Sequence, residues 1–295
     1  MFPSFLPSQV TQLTEPTSIA LAQALEQSPI ATSLSPQPIS TSYGRQGTGN
    51  RPILLLHGFD SSVFEFRRLL PLLAAEHETW AIDLLGFGFT DRSADIPVNA
   101  ETITTHLYYA WKTLINQPVI LVGASMGGAV AIDFSLNHPE AVQQLVLIDS
   151  AGIMEGPRLT NPLLLPLVHL GTEFLRNPRV RRQISLNAYV DPSFVSEDAL
   201  TCAALHLQQV GSREAMVTFT RSGGYPSVVN RISQIQQPTL ILWGDGDRIL
   251  GRTDAEKFKT AIARSQLIWL KQCGHVPHLE DPPSVAHHIL EFARS

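Results

Sequence analysis

Only two cysteines, Cys202 and Cys273, occur in 295 residues, and neither sits at a Cys-x-x-Cys or Cys/His spacing. A disulfide framework and a zinc cluster are therefore excluded, leaving room for at most one incidental bridge. Basic charge is not in excess: 21 Lys and Arg stand against 26 Asp and Glu, a net charge of −5, which lacks the cationic footprint of a nucleic-acid binder. No apolar run approaches the roughly 18 residues of a membrane span. There is no P-loop, and no Gly-x-Gly-x-x-Gly follows a strand, so no nucleotide cofactor is expected; Gly86-Phe87-Gly88 lacks the third glycine and reads as a turn. Lys and Arg are also missing before Arg45. A secretory signal needs a basic n-region and a transit peptide is rich in arginine, so the expectation is a cytoplasmic chain, unprocessed or mature.

What is present is apolar content of 44% with 16% charge, enough for one large globular domain or one domain with an insertion. Residues 1–38 are rich in Pro, Ser, Thr and Gln and read as an N-terminal arm. The arm carries one helical stretch, about Thr17 to Gln27, with Ile19, Leu21, Ala22 and Leu25 as its apolar positions. It either packs on the domain or rests on a membrane surface, the second being the weaker reading because no basic residue flanks it.

From Ile39 onward, strands and helices alternate. Ile39–Tyr43, Ile53–Leu56, Glu78–Ile82, Val119–Val122 and Gln144–Ile148 read as short, apolar, buried strands. Helices fall between them at about Val63 to Glu76, Thr102 to Asn116 and from Gly128 onward. Such alternation predicts a doubly wound, mostly parallel α/β sheet with right-handed crossovers. The pattern stops after Ser150. Residues 151–237 contain no convincing strand but four helix starts, at Asn161-Pro162, Pro178, Ser196 and Ser212. Strand Thr239–Trp243, helix Thr253–Ala263, strand Gln266–Leu270 and helix Pro283–Ala293 then resume the regular order. Residues 39–150 and 238–295 are thus expected to form the core, and 151–237 a helical cap over the carboxyl ends of the strands, where open α/β sheets bind ligands.

Gly123-Ala124-Ser125-Met126-Gly127 lies between a buried strand and a helix. Gly-x-Ser-x-Gly in that context is a nucleophile elbow, a turn sharp enough to require tiny neighbours. A serine hydroxyl needs a base, and the base an orienting acid. The order Ser, then Asp or Glu, then His is met by Gly244-Asp245-Gly246-Asp247 after one strand and Cys273-Gly274-His275 after the last. Ser125 is the expected nucleophile, His275 the base and Asp247 the acid. Asp245 and Asp149, each just beyond a strand, are alternative acids. The backbone N–H groups of Met126 and of Phe59, in the loop after His57-Gly58, are the expected oxyanion donors. His57 and His278 are read as structural. No cofactor and no metal are required.

These residues together resemble the α/β-hydrolase superfamily. Within it, His57-Gly-Phe-Asp-Ser-Ser62 and Thr220-Arg-Ser-Gly-Gly-Tyr225 are similar to the chlorophyll dephytylases and their bacterial relatives. The stretches Glu78–Asp91, Asn137–Val142, Leu240–Gly244 and Cys273–Glu280 agree. The elbow departs from the Gly-Pro-Ser-Leu-Gly-Ala of that branch, and Asp245-Gly246 stands where an acidic pair is usual. The resemblance implies an α/β-hydrolase fold and hydrolysis of a hydrophobic ester, the phytyl ester of chlorophyll, with peripheral contact to a photosynthetic membrane. Carbon–carbon bond hydrolases, generic carboxylesterases and non-catalytic ligand receptors share the same constellation and stand as alternatives. The apolar cap stretch Leu163–Val168, with Leu170, Phe174 and Leu175, reads as cap packing, a greasy channel or a membrane-resting face.

Overall fold

A computed structural model describes residues 1–93, 95–154 and 165–295. Eight strands form one sheet: β1 (Leu25–Thr32), β2 (Ser35–Gln46), β3 (Ile53–Leu56), β4 (Thr79–Ile82), β5 (Val119–Ala124), β6 (Val142–Ile148), β7 (Thr239–Gly244) and β8 (Ser265–Leu270). Their spatial order is β1-β2-β4-β3-β5-β6-β7-β8. β2 runs antiparallel to β1 and β4, and every other pairing is parallel. The helices are α1 (Pro16–Ala24), α2 (Leu70–Leu73), α3 (Ala100–Leu114), α4 (Met126–Asn137), α5 (Leu165–Arg176), α6 (Pro178–Ala188), α7 (Glu197–Ala204), α8 (Ser212–Arg221), α9 (Thr253–Ala261), α10 (Pro277–Glu280) and α11 (Pro282–Arg294). Among the described residues, no helix is long and apolar enough to cross a membrane.

The two-residue period of the central strands divides the core into two layers. Leu54, Leu56, Leu121, Leu145, Leu147 and Ile241 point to the layer that contains α3, α4 and α9. Ile53, Leu55, Ile120, Val122, Val146 and Leu240 point to the layer that contains α1, α2 and α11. β3 and β5 are buried at every position, which is why they read as unbroken apolar runs.

Two sequence expectations change. The arm is shorter than residues 1–38: β1 and the first part of β2 already belong to the sheet, as an antiparallel hairpin on its edge. In β1 only Leu25 and Ile30 are buried, and Pro29 is tolerated at an edge, so the strand carried little signal. The rest of the arm is packed, with Leu6, Val10, Leu13 and Leu21 in the core. Asp198 of α7 ties it down by accepting from the amides of Thr14 (2.5 Å) and Glu15 (2.8 Å) and from Ser18 Oγ (2.6 Å). Second, the helix expected over Val63 to Glu76 is a 3-10 turn, Val63–Phe66, followed by the single turn α2. Pro71 has no N–H with which to continue a helix from the preceding turn. Cys202 and Cys273 are both buried and free. The helix start at Asn161-Pro162 lies outside the described residues; the other three open α6, α7 and α8.

Candidate active site

β5 delivers the chain to the elbow at its carboxyl end. Ser125 takes φ 51° and ψ −120°, a conformation L-residues rarely adopt and which persists only when the surroundings fix it. Here strand and helix nearly touch: a Cβ on Gly123 would overlap the carbonyl of Gly127, and one on Gly127 the carbonyl of Leu56. The Ser125 amide donates to Ile148 O (3.0 Å), fastening the turn to β6.

The strand ends beside it supply the other groups. His275 Nε2 lies 2.9 Å from Ser125 Oγ, and His275 Nδ1 lies 3.1 Å from Asp247 Oδ2. With Nδ1–H donating to Asp247, Nε2 is left to accept from the serine hydroxyl. Asp247 Oδ1 accepts from the amides of Ile249 (2.7 Å) and Leu250 (3.1 Å). Burial pushes this carboxyl upward, but the hydrogen bond and charge of His275 and the two amides outweigh it, holding Asp247 below the usual carboxylate range.

The rival acids occupy different positions. Asp245 Oδ1 accepts from the Gln272 amide (2.8 Å), a turn contact. Asp149 is fully buried and accepts from the Gly244 amide (3.0 Å), while its Oδ2 has no partner among the described residues. Burial and the adjacent Asp247 push Asp149 well above the ordinary carboxyl range, and it lies behind the Asp247–His275 pair.

Gly58 passes directly against the nucleophile: a Cβ there would lie 3.3 Å from Ser125 Cβ. The next amide, Phe59, and that of Met126, first residue of α4, donate to no protein acceptor among the described residues. His57 holds this loop, with Nδ1 2.8 Å from Gly58 O and Nε2 accepting from the Leu84 amide (3.1 Å). Burial lowers it to about 4, so it is neutral. His278 is fully buried 3.2 Å from Glu65. Glu65, which sequence reasoning did not single out, accepts from the Gly58 amide (2.9 Å). Nothing in its local pattern distinguished it from a helix-surface glutamate. Although burial opposes ionisation, the contact with His278 above all brings Glu65 down to about 2.

The same edge supports a cavity of about 350 Å³ reaching Ser125 and His275, with Phe59, Leu175, Ile184 and Leu279 in its wall. The region resembles ligand pockets in size and in its largely apolar lining. A family model described as the alpha/beta hydrolase family matches residues 53–288. The chain belongs to the alpha/beta hydrolase family. This alpha/beta hydrolase is 34% identical over 304 residues to the alpha/beta hydrolase domain-containing protein VTE7 of Arabidopsis thaliana, spanning 99% of this chain and 90% of that one. It is 29% identical over 263 residues to a 2-hydroxy-6-oxo-6-(2'-aminophenyl)hexa-2,4-dienoic acid hydrolase of Metapseudomonas resinovorans, spanning 86% and 87% of the two chains. Its fold is shared with a thermophilic esterase from Thermogutta terrifontis, at a TM-score of 0.75 over 91% of this chain and 98% of that one, with 23% identity.

In this alpha/beta hydrolase the cap is tied to both loops that frame the serine. Asp60, beside Phe59, pairs with Arg181 of α6 and lies 3.0 Å from His206 Nε2. The His275 amide donates to Ala188 O (2.7 Å) at the end of α6. Glu280 accepts from Gly274 (2.5 Å) and from Val190 (2.7 Å), joining the histidine loop to the chain after α6. The expected residues Ser125, His275 and Asp247 are thus brought into one hydrogen-bonded chain, whereas Asp245 stands outside it and Asp149 behind it.

Proposed function

We propose that this hydrolase cleaves a carboxylic ester through an acyl-enzyme on Ser125. The observation that carries the reading is the continuous relay Ser125 Oγ–His275 Nε2 and His275 Nδ1–Asp247 Oδ2, at 2.9 and 3.1 Å. Ser125 Oγ attacks the ester carbonyl as its proton passes to His275 Nε2. Asp247 keeps Nδ1–H oriented and stabilises the imidazolium. The amides of Phe59 and Met126 receive the oxyanion. The alcohol leaves with the proton from His275, and a water activated by the same imidazole releases the acid.

The substrate reading is supported by the apolar cavity wall and by the resemblance of the His57–Ser62 and Thr220–Tyr225 stretches to the chlorophyll dephytylases. We infer a lipophilic ester, the phytyl ester of chlorophyll or of a related tetrapyrrole, cleaved to chlorophyllide and phytol. Incubation with chlorophyll a in detergent should yield chlorophyllide on chromatography. Ready cleavage of short p-nitrophenyl esters with no chlorophyllide would reduce the reading to a generic carboxylesterase. A second reading is favoured by the similarity to the dienoic acid hydrolase: carbon–carbon bond cleavage with the same groups. Turnover of a 2-hydroxy-6-oxo-dienoic acid with inertness to esters would establish it instead.

A further inference from the structure

Large apolar side chains on a soluble surface are ordinary when scattered and informative when contiguous. Three of the most exposed ones fall on one helix: Leu167, Leu170 and Phe174 of α5 are 63, 68 and 62% exposed. Their spacings of three and four place them on one face, and the opposite face carries Val168 and Thr172, the buried residues of α5. A groove of about 360 Å³ lies beside this face, between Leu167 and Phe174 on one side and Val168, Thr172 and Thr220 on the other. The turn and helix that follow are basic. Residues 176–187 contain Arg176, Arg179, Arg181 and Arg182 and no carboxylate, in a chain whose net charge is −5. Arg181 is taken by Asp60, and Arg176 by Ser212 and the Leu207 carbonyl. Arg179 and Arg182 are exposed and have no acidic partner among the described residues.

This face is continuous with the cavity at Ser125. Leu175 borders both the outer groove and the catalytic cavity. Ile184, on α6, lines the cavity while remaining 42% exposed. An exposed apolar stripe on α5, where Glu173 is neutralised by Arg213, followed by exposed arginines on the next helix matches the chemistry of a bilayer surface that bears anionic headgroups: the leucines and phenylalanine enter the acyl boundary and the guanidinium groups meet phosphate.

We propose that the exposed face of α5, with Arg179 and Arg182 of α6, docks the protein on an anionic lipid surface and turns the cavity mouth toward it. A lipophilic substrate then passes from lipid to Ser125 along apolar side chains. That delivery role rests on the ester reading given above; the docking does not.

The test is co-sedimentation of the full chain with vesicles of phosphatidylcholine alone and of phosphatidylcholine mixed with phosphatidylglycerol. The wild-type chain should bind the mixed vesicles at least about tenfold more tightly, and less so as salt is raised. The combined variant Leu167→Ser, Leu170→Ser, Phe174→Ser should lose about tenfold or more in binding. Arg179→Gln with Arg182→Gln should erase the preference for phosphatidylglycerol. Each variant should keep wild-type hydrolysis of a water-soluble p-nitrophenyl ester, which reports an intact fold and site. Wild-type protein that stays in the supernatant with both lipids overturns the proposal. So does a self-association that ignores vesicles and is abolished by the same three serines. Ser125→Ala protein should bind vesicles like wild type; wild-type protein that binds vesicles loaded with chlorophyll a yet releases no chlorophyllide would refute the substrate and leave the docking intact.

Discussion

The carboxyl edge of the sheet and the outer cap helices α5 and α6 are held by different forces. Nearly every residue of α4, behind the nucleophile, is buried, whereas α6 buries none and α5 only Val168 and Thr172. The sheet edge is fixed by packing, which places Ser125, His275 and Asp247 to within hydrogen-bond tolerance. The outer cap helices α5 and α6 are fixed at polar ties, among them Asp60–Arg181, Ala188–His275 and Glu280–Val190, while the segment that carries α7 and α8 packs into the core through Cys202, Leu205, Ala215 and Phe219. The contrast teaches that the proposed chemistry lies on the rigid part and that the outer cap, with little core of its own, is the part left free to vary. Dense burial resists change of geometry, and a surface-like cap tolerates change of side chain.

The largest effect that would break this division lies at the sheet edge. Asp247→Asn should lower kcat by about 10³- to 10⁴-fold, because the imidazole loses its orienting carboxylate. Asp149→Asn should cost less than about tenfold, since an amide still accepts from Gly244 and stays neutral beside Asp247. Steady-state kinetics of the two variants on a p-nitrophenyl ester decides this: the reverse ranking would make Asp149 the working acid. A smaller effect is expected where cap and edge meet. Asp60→Asn leaves the Arg181 guanidinium partly buried without its counter-charge and should destabilise the protein by about 3 kcal/mol, seen as a lowered midpoint in thermal unfolding. An unchanged midpoint would mean that the cap is held elsewhere.

An effect of at most the same size concerns the core alone. His106, fully buried beside Thr41 Oγ1 at 2.8 Å, is lowered by burial to about 4 from 6.5. Between those values the unfolded chain binds the proton and the folded one does not. Stability is therefore complete above about pH 6.5 and declines as pH falls toward 4, by up to about 3 kcal/mol from this residue. Thermal midpoints at pH 7.5 and 4.5 should differ less in His106→Leu than in wild type; an equal difference would assign the acid sensitivity to other groups, His57 foremost.

Legibility in the sequence followed the same division. The buried strands and the elbow stood out because packing on both faces and the Gly123–Gly127 contact leave few residue choices. Ser125, His275 and Asp247 were found by chemistry and chain order. The edge strand β1 was not, because with Leu25 and Ile30 alone buried its pattern resembles a loop. Glu65 and Glu280 were not either: Glu65 accepts from an amide 7 residues back and Glu280 from amides 6 and 90 residues back, across turns that no regular spacing marks. The cap's apolar stripe was visible, but only its exposure on α5 distinguishes an outer face from packing or a channel lining.

The claim on which the rest depends is that Ser125 is the nucleophile. The protein should be treated with an alkyl fluorophosphonate and digested, and the adduct located by mass spectrometry alongside p-nitrophenyl ester hydrolysis. A single adduct on Ser125, formed in step with loss of hydrolysis and absent from Ser125→Ala protein, is the predicted result. An adduct elsewhere, or Ser125→Ala protein that hydrolyses the ester at the wild-type rate, would contradict it.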